Sequence, residues 1–256
     1  MADEVDYRIE GEDLQAVSII LDPGEGMRAE PGAMLWMEDG IEMDTSTGGG
    51  LMSGLKRKLA GESFFISNFT NQANDRREVT YGGPHPGRIV PMDLAGGDIL
   101  CQRDAYLCSA HGVEVTLAFT KRLGAGLLGG EGFVLQRLKG DGWAFIHAGG
   151  HVIERTLGPG ESLRVDTGCL AAFESTVDYD IRMVKGIKSM LFGGEGMFLA
   201  HLSGPGKVWL QTTQTIRGLM GNAGCQLHGQ QAREDGLVLF VIPQSPLQAR
   251  LTIGIP

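Results

Sequence analysis

Histidines and carboxylates set a few residues apart are the groups in this chain that could hold a metal ion or move a proton. The densest grouping is HAGGHVIE, where His147 and His151 are followed by Glu154. Two strand-borne imidazoles and a carboxylate converging on one ion would form a metal site with room for a substrate. The spacing speaks against it, because strand-borne ligand pairs of that kind stand one residue apart. The Ala-Gly-Gly between the two reads as a hairpin turn, which places His147 and His151 on facing strands. A polar cross-strand pair is the expected role, and metal the lesser alternative. His85, His111, His201 and His228 are scattered, and none stands in ligand spacing with a cysteine.

Other motifs fail on context. GAGLLG, Gly124 to Gly129, fits G-x-G-x-x-G, but that pattern cradles a pyrophosphate only where a helix follows, and here the strand-like FVLQRL follows. Gly49 and Gly54 have P-loop spacing, yet Leu55 stands where lysine is required. There is no G-x-S-x-G elbow. Cys101, Cys108, Cys169 and Cys225 form no C-x-x-C pair, and cysteines in strand-like surroundings read as small core residues. No catalytic set, cofactor or metal is expected.

The elements that would position any site are strands. Leu14 to Leu21, Ile99 to Arg103, Val113 to Phe119, Phe133 to Leu138, Val177 to Val184 and Leu237 to Ile242 all read as strands. EVTLAF and DYDIRMV alternate in polarity, the period of a half-buried strand. Turn residues punctuate these runs at the spacing of a sandwich or barrel. The chain has 256 residues, of which 40 are glycine; 42% are hydrophobic and 21% charged, with a net charge of -9. That balance excludes a disordered chain, and glycine does not recur every third residue as in collagen. The acidic surplus opposes binding to a phosphate backbone. The acidic start MADEVDY does not read as a signal peptide, and no apolar run reaches the roughly 20 residues that span a bilayer. A cytoplasmic protein with reduced thiols is expected.

Three landmarks recur in the same order. GEGMRAEPGAM from Gly24, GDILCQRDAYL from Gly97 and GESLRVDTGCL from Gly160 share a glycine, an acidic residue and a strand-like stretch. AGESFFISNF, GGEGFVLQRL and GGEGMFLAHL follow, carrying Glu62, Glu131 and Glu195. GPHPGRIVPM, KGDGWAFIHA and SGPGKVWLQT come third. The expectation is one all-β domain over 1–256, built from a pseudo-threefold repeat at about 14–93, 94–157 and 158–256. The glycine-rich stretch 215–234 departs from it.

These segments resemble a known family. PGAMLWMEDGIEMDT, GGGLMSGLKRKLAGESFF and FGGEGMFLAHLSGPGKVWLQT look like signature segments of the altered-inheritance-of-mitochondria family, bacterial branch. The resemblance runs from about Tyr7 to the end. It implies a fold similar to that of the tryptophan RNA-binding attenuation protein, with β-sandwich units duplicated in one chain, and no established enzymatic activity. Mitochondrial relatives are associated with inner-membrane organisation.

Before each Gly-Glu landmark lies a loop mixing glycine, apolar and basic residues: GGGLMSGLKRKLAGE, TKRLGAGLLGGE and VKGIKSMLFGGE. Leu51, Leu55, Lys56, Arg57 and Lys58, then Lys121 and Arg122, then Lys185 and Lys188 are the candidate docking residues for a protein partner or an anionic membrane surface. The leading expectation is a non-catalytic interaction scaffold, homo-oligomeric and cytoplasmic or peripheral to a membrane. A small-ligand or RNA-binding module is the alternative, on fold analogy. A metal-dependent enzyme around His147 and His151 comes last.

Overall fold

Alternating polarity, turn glycines and the lack of any long stretch with a 3.6-residue period point to strands as the main way this chain buries apolar surface. In the computed structural model, which describes residues 5–44, 66–121, 133–183 and 198–213, those segments form strands joined by turns and three short 3-10 turns. The strands run β1 (Asp6–Glu10), β2 (Ala16–Leu21), β3 (Gly26–Ala29), β4 (Met34–Met37), β5 (Ile41–Asp44), β6 (Ser67–Asn71) and β7 (Arg77–Gly82). Then come β8 (Gly87–Asp93), β9 (Ile99–Gln102), β10 (Tyr106–Ala110), β11 (Glu114–Lys121), β12 (Phe133–Lys139) and β13 (Trp143–Gly149). The last described are β14 (Val152–Leu157), β15 (Ser162–Asp166), β16 (Leu170–Glu174), β17 (Asp178–Met183), β18 (Phe198–Ser203) and β19 (Gly206–Gln211). All described residues belong to one compact unit. The expected strand at Leu237 to Ile242 lies outside them.

Strand pairing is antiparallel throughout the ladders. One six-stranded sheet has the order β5-β6-β3-β10-β13-β8, and the other β11-β12-β9-β16-β19-β14. Every label in the second is six higher than its counterpart in the first. A four-stranded sheet, β1-β2-β7-β4, and a three-stranded sheet, β15-β18-β17, complete the set. The sheets pack face to face through aromatic pairs. Phe69 of β6 meets Tyr81 of β7 edge-on at 5.3 Å between ring centroids, and Phe173 of β16 meets Tyr179 of β17 at 5.1 Å. Tyr7 of β1 sits 5.0 Å from Phe145 of β13. The result is an all-β sandwich with two apolar clusters. The larger joins β2, β3, β7, β10 and β13 to Ile99, Cys101 and Leu138; the smaller gathers Leu135, Phe173, Ile181, Ala200 and Leu202.

Local chemistry sets the turns that lead into β3, β9 and β15. Gly24, Gly97 and Gly160 all have positive φ (85°, 134° and 81°), a region that L side chains enter at a cost. The acidic residue that follows closes the turn in two cases. The Glu25 carboxylate accepts from the Asp22 amide, and that of Glu161 from the Gly158 amide, both at 2.8 Å. Asp98 instead receives the Arg137 guanidinium at 3.0 Å.

Candidate functional site

The three residues of the hoped-for metal site part company in the fold. His147 lies on β13, His151 in the short link after it, and Glu154 on β14. β13 pairs with β8 and β10, while β14 pairs with β19 in another sheet. The expected hairpin across Ala-Gly-Gly is therefore absent, and so is the cross-strand histidine pair. The link carries the chain from one sheet to the next: Gly150 has φ 67° and its amide donates to the Pro86 carbonyl. His151 and Glu154 are exposed, whereas His147 is buried. Among the described residues, no group of three or more His, Cys, Asp or Glu could hold a metal ion.

His147 has a different neighbour, His85, with ring centroids 4.6 Å apart. The imidazole fills a cradle of glycine backbone. A Cβ on Gly83 would lie 2.4 Å from the ring, and one on Gly87 would lie 2.6 Å from Nε2. Burial, and then the adjacent His85, push His147 down to about 4. Nδ1 finds no hydrogen-bond partner among the described residues. This is a neutral imidazole packed as a flat core side chain, poorly placed to take up a proton near neutrality. The glycines flanking His85 in GGPHPG were the only trace of this cradle in the sequence.

The cysteines follow the same rule. Cys101 and Cys108 are buried, and burial pushes the Cys101 thiol up to about 12 and that of Cys108 well above its ordinary value. Such thiols are not nucleophiles. Cys169 is partly exposed.

A cleft of about 150 Å³ opens between Glu30, Arg103, Tyr106 and Gln136, with Pro31, Ile66 and Val115 as its apolar wall. The Tyr106 hydroxyl donates to the Arg28 carbonyl at 3.2 Å and shares a 2.9 Å bond with Ser109 Oγ. Gln136 is 4% exposed, and its Oε1 has no hydrogen-bond partner among the described residues.

Among the described residues, few large apolar side chains are exposed, and most of those lie on outer strands. The exposed large apolar residues among those described are Leu14, Leu35, Trp36, Met43 and Ile153. Leu35 and Trp36 are neighbours on β4, an end strand of the four-stranded sheet with no further partner among the described residues, and are 51% and 47% exposed. Met43 and Ile153 lie on β5 and β14, each the outer strand of a six-stranded sheet. The only docking candidate from the sequence that falls within a described element is Lys121, whose backbone ends β11 opposite Phe133. Leu51, Leu55, Lys56, Arg57, Lys58, Arg122, Lys185 and Lys188 lie outside the described residues. The edge residues Leu35 and Trp36 escaped the sequence reading because PGAMLWM reads equally well as a buried strand.

The fold is that of an all-β protein, and among the described residues four of the five exposed large apolar side chains lie on outer strands. Residues 7–213 match the family model for Mitochondrial biogenesis AIM24, and the chain belongs to that family. An uncharacterised protein of Streptococcus pyogenes serotype M6 is 22% identical over 204 residues, covering 77% of this chain and 80% of the relative. An X-ray structure of a Streptococcus pyogenes protein, a structural-genomics target, superposes with a TM-score of 0.70 at 21% identity. It covers 85% of this chain and 97% of the other. No described helix is long and apolar enough to cross a membrane.

Proposed function

We propose that this protein is a non-catalytic interaction scaffold that works as a homo-oligomer and docks through the open edges of its sheets. The observation that carries this reading is the pair Leu35 and Trp36. Two large apolar side chains, each about half exposed, stand on a strand edge that no described strand pairs with. Such an edge offers unsatisfied amides and carbonyls together with apolar area, which is what β-augmentation uses. Natural edges carry charge or proline to block pairing, and β4 (MLWM) carries neither. The reading is tested by light scattering across a concentration series. A mass above one chain that falls to one chain in Trp36→Glu supports it, and a single-chain mass at every concentration overturns it.

A second reading, a small-ligand module, is favoured by the cleft at Gln136. A buried carbonyl oxygen without a donor costs about 1–3 kcal/mol, which a ligand N–H or O–H would recover. Thermal-shift screening of small polar compounds, repeated with Gln136→Leu, tests it: stabilisation seen only with Gln136 supports it.

A further inference from the structure

We infer that the open edge of β4 is filled by β15 of a second copy of the chain, in a register that the molecule already uses twice. This rests on the scaffold reading and names its partner. The two six-stranded sheets are each assembled across a seam, β3 against β10 and β9 against β16. The first seam pairs Ala29, Arg28 and Met27 with Cys108, Ser109 and Ala110. The second pairs Cys101, Leu100 and Ile99 with Ala172, Phe173 and Glu174. On a shift of six labels, β4, β10 and β16 correspond, and so do β3, β9 and β15. Each seam thus joins the earlier strand of one group to the later strand of the next.

A third set of seam strands is left over. β4 has no partner beyond β7, and β15 none beyond β18, among the described residues. They are the two complementary halves of a seam, one from each end of the pattern. The correspondence holds at single residues. A bulge interrupts β4 between Met34 and Trp36, β10 between Tyr106 and Cys108, and β16 between Leu170 and Ala172. Trp36 therefore corresponds to Cys108 and Ala172, and Leu35 to Leu107 and Ala171. All four counterparts are fully buried or nearly so, covered by the neighbouring strand that β4 lacks.

Size matches as well as position. Cys108 sits opposite Phe145, and Ala172 opposite Trp209, so each pair has one small and one large member. Trp36 sits opposite Thr80, the same pair with the large member exchanged. Ala29, Cys101 and Val165 each precede the first bulge residue of the following strand by five positions. The register that follows is Val165 to Trp36, Arg164 to Met37 and Leu163 to Glu38. Arg164 then has Asp39 as a diagonal neighbour on the same face, an opposite charge within reach. Because donor and acceptor edges differ, the contact is head to tail and propagates to a closed ring or a filament.

Variants with one introduced cysteine each test this in a background with Cys169 and Cys225 changed to serine, where the remaining Cys101 and Cys108 are buried. Trp36→Cys is mixed with Val165→Cys, and Met37→Cys with Arg164→Cys, under mild oxidation. Successive antiparallel pairs alternate between wide and narrow, so one of these two mixtures falls in disulfide range. The expected result is a covalent dimer from one matched mixture and none from Met37→Cys with Ser162→Cys. Arg164 is exposed, and Met37 is a half-buried side chain at the margin of the larger apolar cluster, so their variants remove little of the core. Independently, Trp36→Glu weakens self-association about tenfold or more, as loss of a central aromatic anchor does. A disulfide formed within one chain in the Met37→Cys, Arg164→Cys double variant, with no dimer from the mixtures, overturns the proposal. So does an oligomer that cross-links at neither pair, which leaves the scaffold reading standing. A chain that stays monomeric throughout removes both.

Discussion

The closed seams and the open edge differ in what their strands have been selected to tolerate. β10 is buried at all five positions, since β3 and β13 flank it and apolar layers cover both faces. β4 has the same bulge and the same kind of partner in β7, yet its two central residues face solvent. A strand enclosed on every side takes small residues such as Cys108 and Ser109 beside a large Phe145. A strand with one side free can carry Trp36. Burial therefore follows from the neighbour each strand is given more than from the strand's own sequence.

The contrast can be broken by truncating each side. Phe145→Ala removes a fully buried ring and is expected to lower the unfolding free energy by about 3–5 kcal/mol in urea titrations. A loss below about 1 kcal/mol would mean that β13 is far less enclosed than its burial indicates. A smaller effect is expected at the β6–β7 turn. Asn71 Nδ2 donates to the Leu21 and Asp75 carbonyls at 2.9 and 2.8 Å, and Oδ1 accepts from the Ala73 amide at 2.9 Å. Asn71→Ala leaves those groups unpaired and should cost about 1–3 kcal/mol.

The enclosed side also has a pH signature. His147 is held at about 4 in the folded state, below the ordinary 6.5, so between those values the unfolded chain binds a proton that the folded chain does not. Stability is then present in full above about pH 6.5 and declines as pH falls towards 4. His147→Phe should flatten that part of the profile; an unchanged slope would show that other groups govern it. The smallest effect belongs to the open edge. Trp36→Ala, measured at low protein concentration, is expected to shift stability by less than about 0.5 kcal/mol. A loss comparable to that of Phe145→Ala would mean that β4 is covered within its own chain.

Some of this was legible in the residues themselves. The alternation in EVTLAF and DYDIRMV placed β11 and β17, and the glycine and acidic pairs at Gly24 and Gly160 placed the turns before β3 and β15. The all-β class rests on those local signals. The HAGGHVIE reading failed because a short glycine link can turn a chain back on itself or pass it to the next sheet. The Pro86 carbonyl and the Thr212 hydroxyl, which accept from the Gly150 and His151 amides, belong to distant segments. The contact between His85 and His147 spans many residues and has no local mark beyond the glycines around it.

The sequence by itself determined that this chain is built of strands, where some of them turn, and that it belongs with the AIM24 family, because period and turn chemistry act over a few residues. The tertiary structure alone decided which strands are enclosed and which edge is left open. A half-buried, a fully buried and an unpaired strand can share one apolar pattern, and only the placing of the neighbouring strands separates them.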